Sequence, residues 1–375
     1  MRYSEFGNTG IKVSKLGFGA MRLPTRKDGD MTVVDDDLAI PLMHRAFDMG
    51  VNYIDTALYY INKTSEVSVG KALKGYRDKV YVATKNPVEN TSADDWRKRL
   101  ELSLTKLDVD YIDFYHMWGM SLDSYREWEA LSDGPLQAAE RAKSEGLIKH
   151  LSFSTHDYGD NLRPIFDSGR FSSVLLQYNL LDRKSEEVIA YAKEKGIGVV
   201  VMGPVAGGRL GAPSSVIQGL LKNKSVSTAE MALRFVLAND NVNIALSGMS
   251  TIPMLEENAA IASVEGPLTA EELAQVGAMM EENKKLEQLY CTACNYCLPC
   301  PQEINIPHIF DIMNNHRVYD LTDHAKEAYA EVISGKGWIK SADATKCIEC
   351  GVCETKCPQK LPIIKQLQET HSTLA

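Results

Sequence analysis

The chain has 375 residues, of which 44% are hydrophobic and 24% are charged, and its formal net charge is -9. This length predicts about two domains, the composition is that of a globular protein, and the negative charge argues against a nucleic-acid partner, which needs a basic face. The opening residues MRYSEFGNTG do not resemble a signal peptide, and no run of about 18 apolar residues could cross a membrane. We therefore expect a cytoplasmic protein without a membrane partner.

Eight short apolar or β-branched segments recur before residue 285: VSKLGF, VNYID, VYVAT, YIDFYHM, IKHLSF, SVLLQY, IGVVVM and NIALSG. Amphipathic stretches separate most of them, and one such helix has Ser185 as a start signal and Gly196 as a stop signal. Eight such repeats in about 250 residues predict a (β/α)8 TIM barrel of parallel strands. A doubly wound open sheet is the alternative, but no G-x-G-x-x-G follows the first strand. The preceding segment MRYSEFGNTGIKVS predicts a hairpin that closes the bottom of the barrel.

Polar side chains end three neighbouring predicted strands, at the end of a barrel where catalysis occurs. Asp55 ends the second strand, Lys85 the third, and His116 and Trp118 the fourth, while Tyr60 follows shortly after Asp55. A single charged residue here usually begins a solvated loop, but three neighbouring strands that end in such residues indicate a site. A free tyrosine has a pKa near 10, and an adjacent ammonium group lowers that pKa. The set therefore predicts Tyr60 as a general acid that protonates a carbonyl oxygen while hydride reaches the carbon.

The body of the chain resembles the aldo-keto reductases in the segments LGFGAMRLP, YIDTALYY, VYVATK, SLTKLDVDYIDFY, LSFSTHD, LLQYNLLD and LSGMSTIPMLEEN. The resemblance implies that Asp55, Tyr60 and Lys85 are catalytic. Tyr59 is then a neighbour that points elsewhere.

The fourth strand departs from the family pattern. The family's catalytic histidine lies five positions after the aspartate of this strand, and counting from Asp113 gives Trp118. His116 would lie about 7 Å deeper in the barrel, either as a hydrogen-bonded core residue or as an inward-facing one near the site. Trp118 would narrow the pocket with an aromatic face, which suits a planar or conjugated substrate.

The resemblance also implies a nicotinamide cofactor at the barrel mouth. The amide contacts fall on Ser154 and Gln177, Thr155 replaces the usual asparagine, and Met202 takes the place of a stacking aromatic or is simply a core residue. The other implied cofactor positions are Gly19, Gly203, Pro204, Gly248, Glu257 and Asn258. No Lys or Arg lies between Gly248 and Asn258, whereas the 2′-phosphate of NADP needs cations. NADPH, NADH, a weakly bound dinucleotide and another cofactor such as a flavin therefore stay open.

All eight cysteines lie in two runs near the C-terminus, CTACNYCLPCP and CIECGVCETKCP. They divide the chain into a barrel domain, 1–285, and a tail, 286–375. The second run is the C-x2-C-x2-C-x3-C-P pattern of bacterial ferredoxins, and the first is one residue shorter before its last cysteine. The runs predict two [4Fe-4S] clusters in a helical, ferredoxin-like domain; zinc held by four cysteines is the alternative.

In two-cluster ferredoxins the fourth cysteine of each run ligates the other cluster. That rule predicts one set of Cys291, Cys294, Cys297 and Cys357, and a second set of Cys347, Cys350, Cys353 and Cys300. Exposed clusters of this kind are oxygen-sensitive, so we expect an anaerobic or microaerobic host.

Three functions stay open. The first is a nicotinamide-dependent carbonyl reductase with auxiliary clusters. The second is a ferredoxin-linked redox enzyme in which electrons from the clusters reach a flavin or substrate in the barrel, and the third is a non-catalytic electron-transfer or redox-sensing subunit. Retention of Asp55, Tyr60 and Lys85 argues against the third. The expected partners are a small-molecule substrate and a ferredoxin or other electron carrier; the sequence predicts neither the substrate's identity nor an oligomeric state.

Overall fold

The computed structural model describes residues 1–211, 213–220, 226–291 and 295–375, with the backbone alone at 209, 284 and 286–290. The chain divides into two compact units: a first unit of Met1–Ala206 with Ala232–Leu268, and a second unit of Gly207–Met231 with Thr269–Ala375. The boundary expected at residue 285 comes from the distribution of cysteines along the sequence, and it stays a prediction. In the part of the chain so described, no helix is long and apolar enough to cross a membrane.

Every strand found among the described residues belongs to the first unit. In chain order they are β1 (Tyr3–Glu5), β2 (Lys12–Ser14), β3 (Leu16–Gly19), β4 (Thr25–Asp28), β5 (Met31–Val34), β6 (Tyr53–Asp55), β7 (Tyr81–Pro87), β8 (Ile112–Trp118), β9 (Ile148–Ser154), β10 (Ser173–Gln177), β11 (Gly198–Met202) and β12 (Ile244–Ser247). Eight of these strands, β3 and β6–β12, form a closed barrel in the order β10-β11-β12-β3-β6-β7-β8-β9, with parallel pairing throughout. The (β/α)8 prediction is confirmed, and each of the eight predicted segments overlaps one barrel strand.

Helices follow the barrel strands and also build the tail. In chain order they are α1 (Asp36–Asp48), α2 (Tyr60–Lys63), α3 (Ser65–Ala72), α4 (Ala93–Leu107), α5 (Leu122–Glu129), α6 (Pro135–Ser144), α7 (Arg163–Asp167), α8 (Glu186–Glu194), α9 (Ser215–Gln218), α10 (Thr228–Ala238), α11 (Ile252–Ser263), α12 (Ala270–Tyr290), α13 (Ile306–Arg317), α14 (Thr322–Ser334), α15 (Val352–Lys356) and α16 (Ile363–Leu374). Ser185 and Gly196 flank α8 as predicted, although the Ser185 side chain makes no capping hydrogen bond.

The hairpin of β1 and β2 closes the lower end of the barrel. Its Phe6 has no exposed surface, and its ring centroid lies 4.9 Å from that of Phe114 and 6.0 Å from that of Tyr53. Burying a phenylalanine in this way stabilises the fold by roughly 1.5–3 kcal/mol. The predicted N-terminal hairpin is therefore confirmed, and its aromatic residue fills the bottom of the barrel.

A second hairpin, β4 with β5, was not predicted. Its segment TRKDGDMTVV has four charged residues in ten and is mostly exposed, so it lacks the apolar alternation by which half-buried strands are recognised. The turn is a Gly29-Asp30 pair with Gly29 at a φ of +60°, a conformation that glycine adopts without strain.

The second unit has its own core, formed mainly by α13, α14 and α16. Its fully buried side chains include Ile309, Phe310, Tyr329 and Leu367, and cysteines of both runs pack against them. The predicted helical insert between the runs is confirmed as α13 and α14. The cysteines are therefore held by a packed helical scaffold.

Candidate active site

Alternate residues of β8 point into the barrel. The ring of Phe114 stacks at 4.9 Å on that of His150 beside the Phe6 plug, so the period of two also turns His116 and Trp118 inward, towards the upper end. The strand register pairs His116 with Lys85 of β7, and Trp118 with Pro87. His116 accordingly lies in the layer below Trp118, as the sequence predicts.

Asp55 and Lys85 form an ion pair inside the barrel. Both side chains are 2% exposed, and the Lys85 ammonium donates one hydrogen bond to Asp55 Oδ1 and a second to the Thr56 carbonyl oxygen at 2.9 Å. Burial lowers the pKa of Lys85, but Asp55 and Tyr60 raise that pKa by more. The lysine is therefore held charged in a place that water hardly reaches.

Tyr60 lies beside this ion pair. Its side chain is half-buried, and the Lys85 Nζ lies 4.9 Å from its ring centroid. Burial raises the pKa of Tyr60 and Lys85 lowers it by less, so the net direction is upward, opposite to the sequence-based expectation. The phenol is therefore fully protonated at neutral pH, which is the state of a proton donor.

The turn that carries Tyr60 has an unusual backbone. Three residues in succession, Ile61, Asn62 and Lys63, have φ angles of +47°, +51° and +69°. Only asparagine among them tolerates this region well, and a β-branched residue there costs about 1–3 kcal/mol. The surrounding structure must hold this turn in place.

Hydrogen bonds to the second hairpin hold it. The Asn62 amide donates to the Thr32 carbonyl oxygen at 2.7 Å. The Thr64 hydroxyl donates to the Ile61 carbonyl oxygen at 2.7 Å and accepts from the Val34 N–H at 3.1 Å. The unpredicted β4–β5 hairpin thus fixes the turn that presents Tyr60.

Trp118 forms an aromatic wall of the site. Its ring lies edge-to-face with that of Tyr60, at a centroid distance of 5.7 Å and an angle of 84°. Tyr59 is exposed, and its hydroxyl donates to Glu89 at 2.5 Å. Tyr59 therefore points away from the ion pair, as expected.

His116 is fully buried, and neither ring nitrogen has a hydrogen-bond partner among the described residues. Burial, with a smaller effect of the charged Lys85, lowers its pKa to about 3. The choice between a hydrogen-bonded core histidine and an inward-facing one near the site stays a prediction. At neutral pH this imidazole is uncharged.

The predicted nicotinamide contacts lie at the ends of β9, β10 and β11. Ser154 accepts the Gly119 N–H at 3.0 Å, and Gln177 is half-buried beside Gly203, where an added Cβ would lie 3.1 Å from the Gln177 Oε1. Met202 is half-buried and packs against the barrel core. Pro204 is buried, while the Thr155 side chain is fully buried and its hydroxyl accepts the Asp157 N–H at 2.9 Å.

A loop with a helix N-terminus follows β12. Thr251 caps α11 by accepting the Met254 N–H at 3.4 Å, and Asn258 is buried and donates to the Ser247 hydroxyl at 3.1 Å. Glu257 is exposed on the same helix. Loop N–H groups and a helix N-terminus together favour anions.

Sequence reasoning missed a cation at this loop. Arg22, which follows β3, packs over Gly248. A Cβ atom added to Gly248 would lie only 3.2 Å from the Arg22 Cβ and Cδ atoms. Gly19 is equally close to the loop, since its added Cβ would lie 3.3 Å from the Ser247 carbonyl oxygen. A basic side chain from a neighbouring strand thus lies where the loop's own sequence has none.

The described cysteines line two cavities of the second unit. A cavity of about 390 Å³ is lined by Cys297, Cys300, Cys347, Cys350 and Cys353. The other, of about 330 Å³, is lined by Cys291, Cys297 and Cys357. Cys294 lies outside the described residues. Each cavity combines cysteines of both runs, which fits thiolate ligation of one multi-atom group per cavity. Within the described ranges, no three His, Cys, Asp or Glu side chains converge on a single-ion site.

Family models match both parts of the chain. Residues 15–281 match the aldo/keto reductase family, and residues 290–361 match a 4Fe-4S dicluster domain. The two matches together span the barrel and both cysteine runs.

Individual relatives match the barrel part. L-galactose dehydrogenase of Arabidopsis thaliana is 30% identical over 75% of this chain and 94% of its own length. An uncharacterised oxidoreductase of Bacillus subtilis is 27% identical over 73% and 94%. Among solved structures, the holo form of an aldo-keto reductase from Bacillus halodurans is 30% identical, with a TM-score of 0.64 over 74% of this chain and 96% of that chain.

Proposed function

The chain belongs to the aldo/keto reductase family, and from its membership we propose that this oxidoreductase reduces a carbonyl or conjugated substrate with hydride from a nicotinamide cofactor. The observation that carries the proposal is the buried Asp55–Lys85 ion pair beside the protonated phenol of Tyr60. A desolvated cation next to a proton donor has little structural use in a barrel interior, because burying it costs several kcal/mol.

In this mechanism the Tyr60 phenol donates its proton to the substrate oxygen. When bound, a reduced nicotinamide supplies the hydride that the substrate carbon receives. The phenolate left on Tyr60 is stabilised by the Lys85 ammonium, which Asp55 keeps oriented and charged. Reprotonation of Tyr60 from solvent completes the cycle. The reverse reaction, oxidation of a hydroxyl, which the name of the Arabidopsis relative implies for that protein, would use the same phenolate as base.

Trp118 and His116 shape the substrate pocket. The Trp118 ring, edge-to-face with Tyr60, would favour flat molecules. His116 does not supply the proton, because an imidazole with a pKa of about 3 is neutral at pH 7. The substrate class we propose is therefore a planar, conjugated carbonyl compound.

The dinucleotide would lie across the barrel mouth. Ser154 and Gln177 would hold the carboxamide, and the loop from Gly248 to α11 would hold a phosphate. Arg22 supplies the positive charge that the loop sequence lacks, so NADPH as well as NADH fits this site.

The tail would hold two [4Fe-4S] clusters. The larger cavity fits the set Cys300, Cys347, Cys350 and Cys353, and the smaller fits Cys291, Cys297 and Cys357 with Cys294. Clusters of this kind carry single electrons. A ferredoxin-linked reaction is therefore the second candidate function, and the observation that favours it is the exposure of Cys350 at one cavity.

Replacing Tyr60 with Phe tests the proposal. Under argon, with NADPH or NADH and para-nitrobenzaldehyde, we expect the variant to lose about 10²- to 10⁴-fold in kcat, the usual contribution of a general acid. Tyr59→Phe, which removes the neighbouring exposed hydroxyl, is the matched control and should retain activity. Unchanged turnover in Tyr60→Phe would exclude this phenol as the acid.

A further inference from the structure

The tail has a marked division of charge. Residues 286–334 carry seven carboxylates and two basic side chains, whereas residues 335–365 carry six lysines and three carboxylates. The net charge of the whole chain is -9. A basic segment on an acidic protein creates a local field that attracts acidic partners.

Large apolar side chains are exposed in the same basic segment. Trp338 is 94% exposed and Ile348 is 61% exposed. Ile348 and Val352 line the larger cysteine cavity together with Cys350, whose side chain is itself exposed. Exposed tryptophan and isoleucine are typical of the centre of a protein–protein interface.

Exposed lysines lie next to cysteines of both cavities: Cys347 lines the larger one and Cys357 the smaller. Lys346 precedes Cys347, Lys356 precedes Cys357, and Lys360 follows shortly after; all three are exposed. In the described part of the tail none of the three ammonium groups lies in a salt bridge, although Lys346 is close enough to Asp343 to lower the pKa of that carboxyl. By contrast, Glu349 and Glu354 accept hydrogen bonds from Gln368 and from the Ile364 N–H.

Trp338 belongs to a loop that is connected to the cavity wall. In this loop, the Ala342 N–H donates to the Glu303 carbonyl oxygen at 3.0 Å. Glu303 lies between Gln302 and Ile304, both of which line the larger cavity. The tryptophan and the cavity-lining residues are therefore parts of one small scaffold.

We propose that this surface, named here the basic face (Trp338, Lys346, Ile348, Val352, Lys356 and Lys360), docks an acidic protein that carries one electron at a time. The inference rests on the proposed function, because it assigns the exposed cysteine cavity to a redox group. A reduced carrier that docks here loses one electron and this protein gains one, with no bond made or broken. The lysines steer the acidic partner, and the apolar side chains form the contact.

A second copy of the chain is the competing occupant, since its acidic surface also complements the lysines. The carrier is favoured because Cys350 is exposed and lines the same cavity as Ile348 and Val352, where close approach serves electron exchange. Self-association would instead cover the cavity without any redox consequence.

The test is binding of the full-length protein, purified anaerobically, to two acidic probes, a flavodoxin and a bacterial two-cluster ferredoxin. Cytochrome c, a basic carrier, is the negative control. We expect the acidic probes to bind at about 50 mM salt and to weaken strongly at about 500 mM. The triple variant K346E/K356E/K360E should weaken binding at least about tenfold, and Trp338→Ala about fivefold.

The triple variant K27E/K149E/K326E, which changes exposed lysines elsewhere in the chain, is the matched control and should bind like the parent protein. Absence of binding to both acidic probes, equal weakening by the two triple variants, or a dimer in sedimentation that K346E/K356E/K360E dissociates would each overturn the proposal. Iron and sulfide are measured on the same samples. A protein with full iron that binds no carrier refutes the docking surface alone, whereas absent iron refutes the cluster assignment.

Discussion

At the residue scale, the Tyr60 phenol is controlled by two opposing effects. Burial raises its pKa, and the nearby Lys85 ammonium lowers it by less. In the proposed mechanism the two effects act in turn: burial keeps the proton on Tyr60 before reaction, and the lysine stabilises the phenolate afterwards.

This arrangement makes a prediction about pH. The acid form of Tyr60 is required for reduction, and its pKa lies above the ordinary value of about 10. The kcat/KM for para-nitrobenzaldehyde should therefore be constant from about pH 6 to pH 9 and fall only as pH rises beyond about 10. Steady-state kinetics in buffers of constant ionic strength measure this pH dependence of kcat/KM. Loss of activity around pH 6 to 7 would instead indicate a histidine as the proton donor.

Some residue-level features were legible in the sequence and others were not. Counting from Asp113 placed Trp118 at the mouth and His116 below it, because strand spacing is regular. The sequence does not predict that the Tyr60 pKa shifts upward, since the burial that raises it depends on the whole fold. Arg22 was missed because it reaches the loop after β12 from a strand far away in the chain.

At the element scale, the β4–β5 hairpin and the turn after Asp55 act together. The turn contains three left-handed residues in succession, and hydrogen bonds from the hairpin hold it. The cost of this backbone, about 1–3 kcal/mol for each strained residue, is offset by those contacts. The hairpin is therefore a positioning element for Tyr60.

Replacing Thr64 with Val tests this positioning. The change keeps the shape but removes the hydroxyl that links the Ile61 carbonyl oxygen to the Val34 N–H. We expect kcat to fall about tenfold with little change in KM, because misplacing a catalytic group by a fraction of an ångström costs rate more than binding. Far-ultraviolet circular dichroism should show an intact barrel. Thr105→Val, which removes a hydroxyl bonded to Glu101 on exposed α4, is the control; an equal loss in both variants would contradict the assignment.

The elements differed in how far the sequence predicted them. The barrel strands are mostly buried and rich in apolar and β-branched residues, so the sequence shows all eight as short runs. The charged β4–β5 hairpin and the left-handed turn give no such pattern, because tertiary contacts decide their conformation.

At the scale of the whole molecule, the chain combines an aldo/keto reductase barrel with a 4Fe-4S dicluster domain. The cysteine runs were legible because their spacing is set by cluster chemistry, and a dicluster family model matches residues 290–361. The basic face was not predicted, since exposure of Trp338 and Ile348 can be known only from the folded tail. Hydride transfer and stepwise electron transfer differ in the origin of the hydrogen that the substrate carbon receives.

The most direct test of hydride transfer uses NADPH or NADH in which both hydrogens at C4 of the nicotinamide are replaced by deuterium. Para-nitrobenzaldehyde is reduced under argon, and mass spectrometry and NMR locate the label. Hydride transfer predicts one deuterium on the benzylic carbon of the alcohol, and none when unlabelled cofactor is used in deuterated water. A benzylic hydrogen that comes from solvent would contradict it and would show that electrons reach the substrate singly.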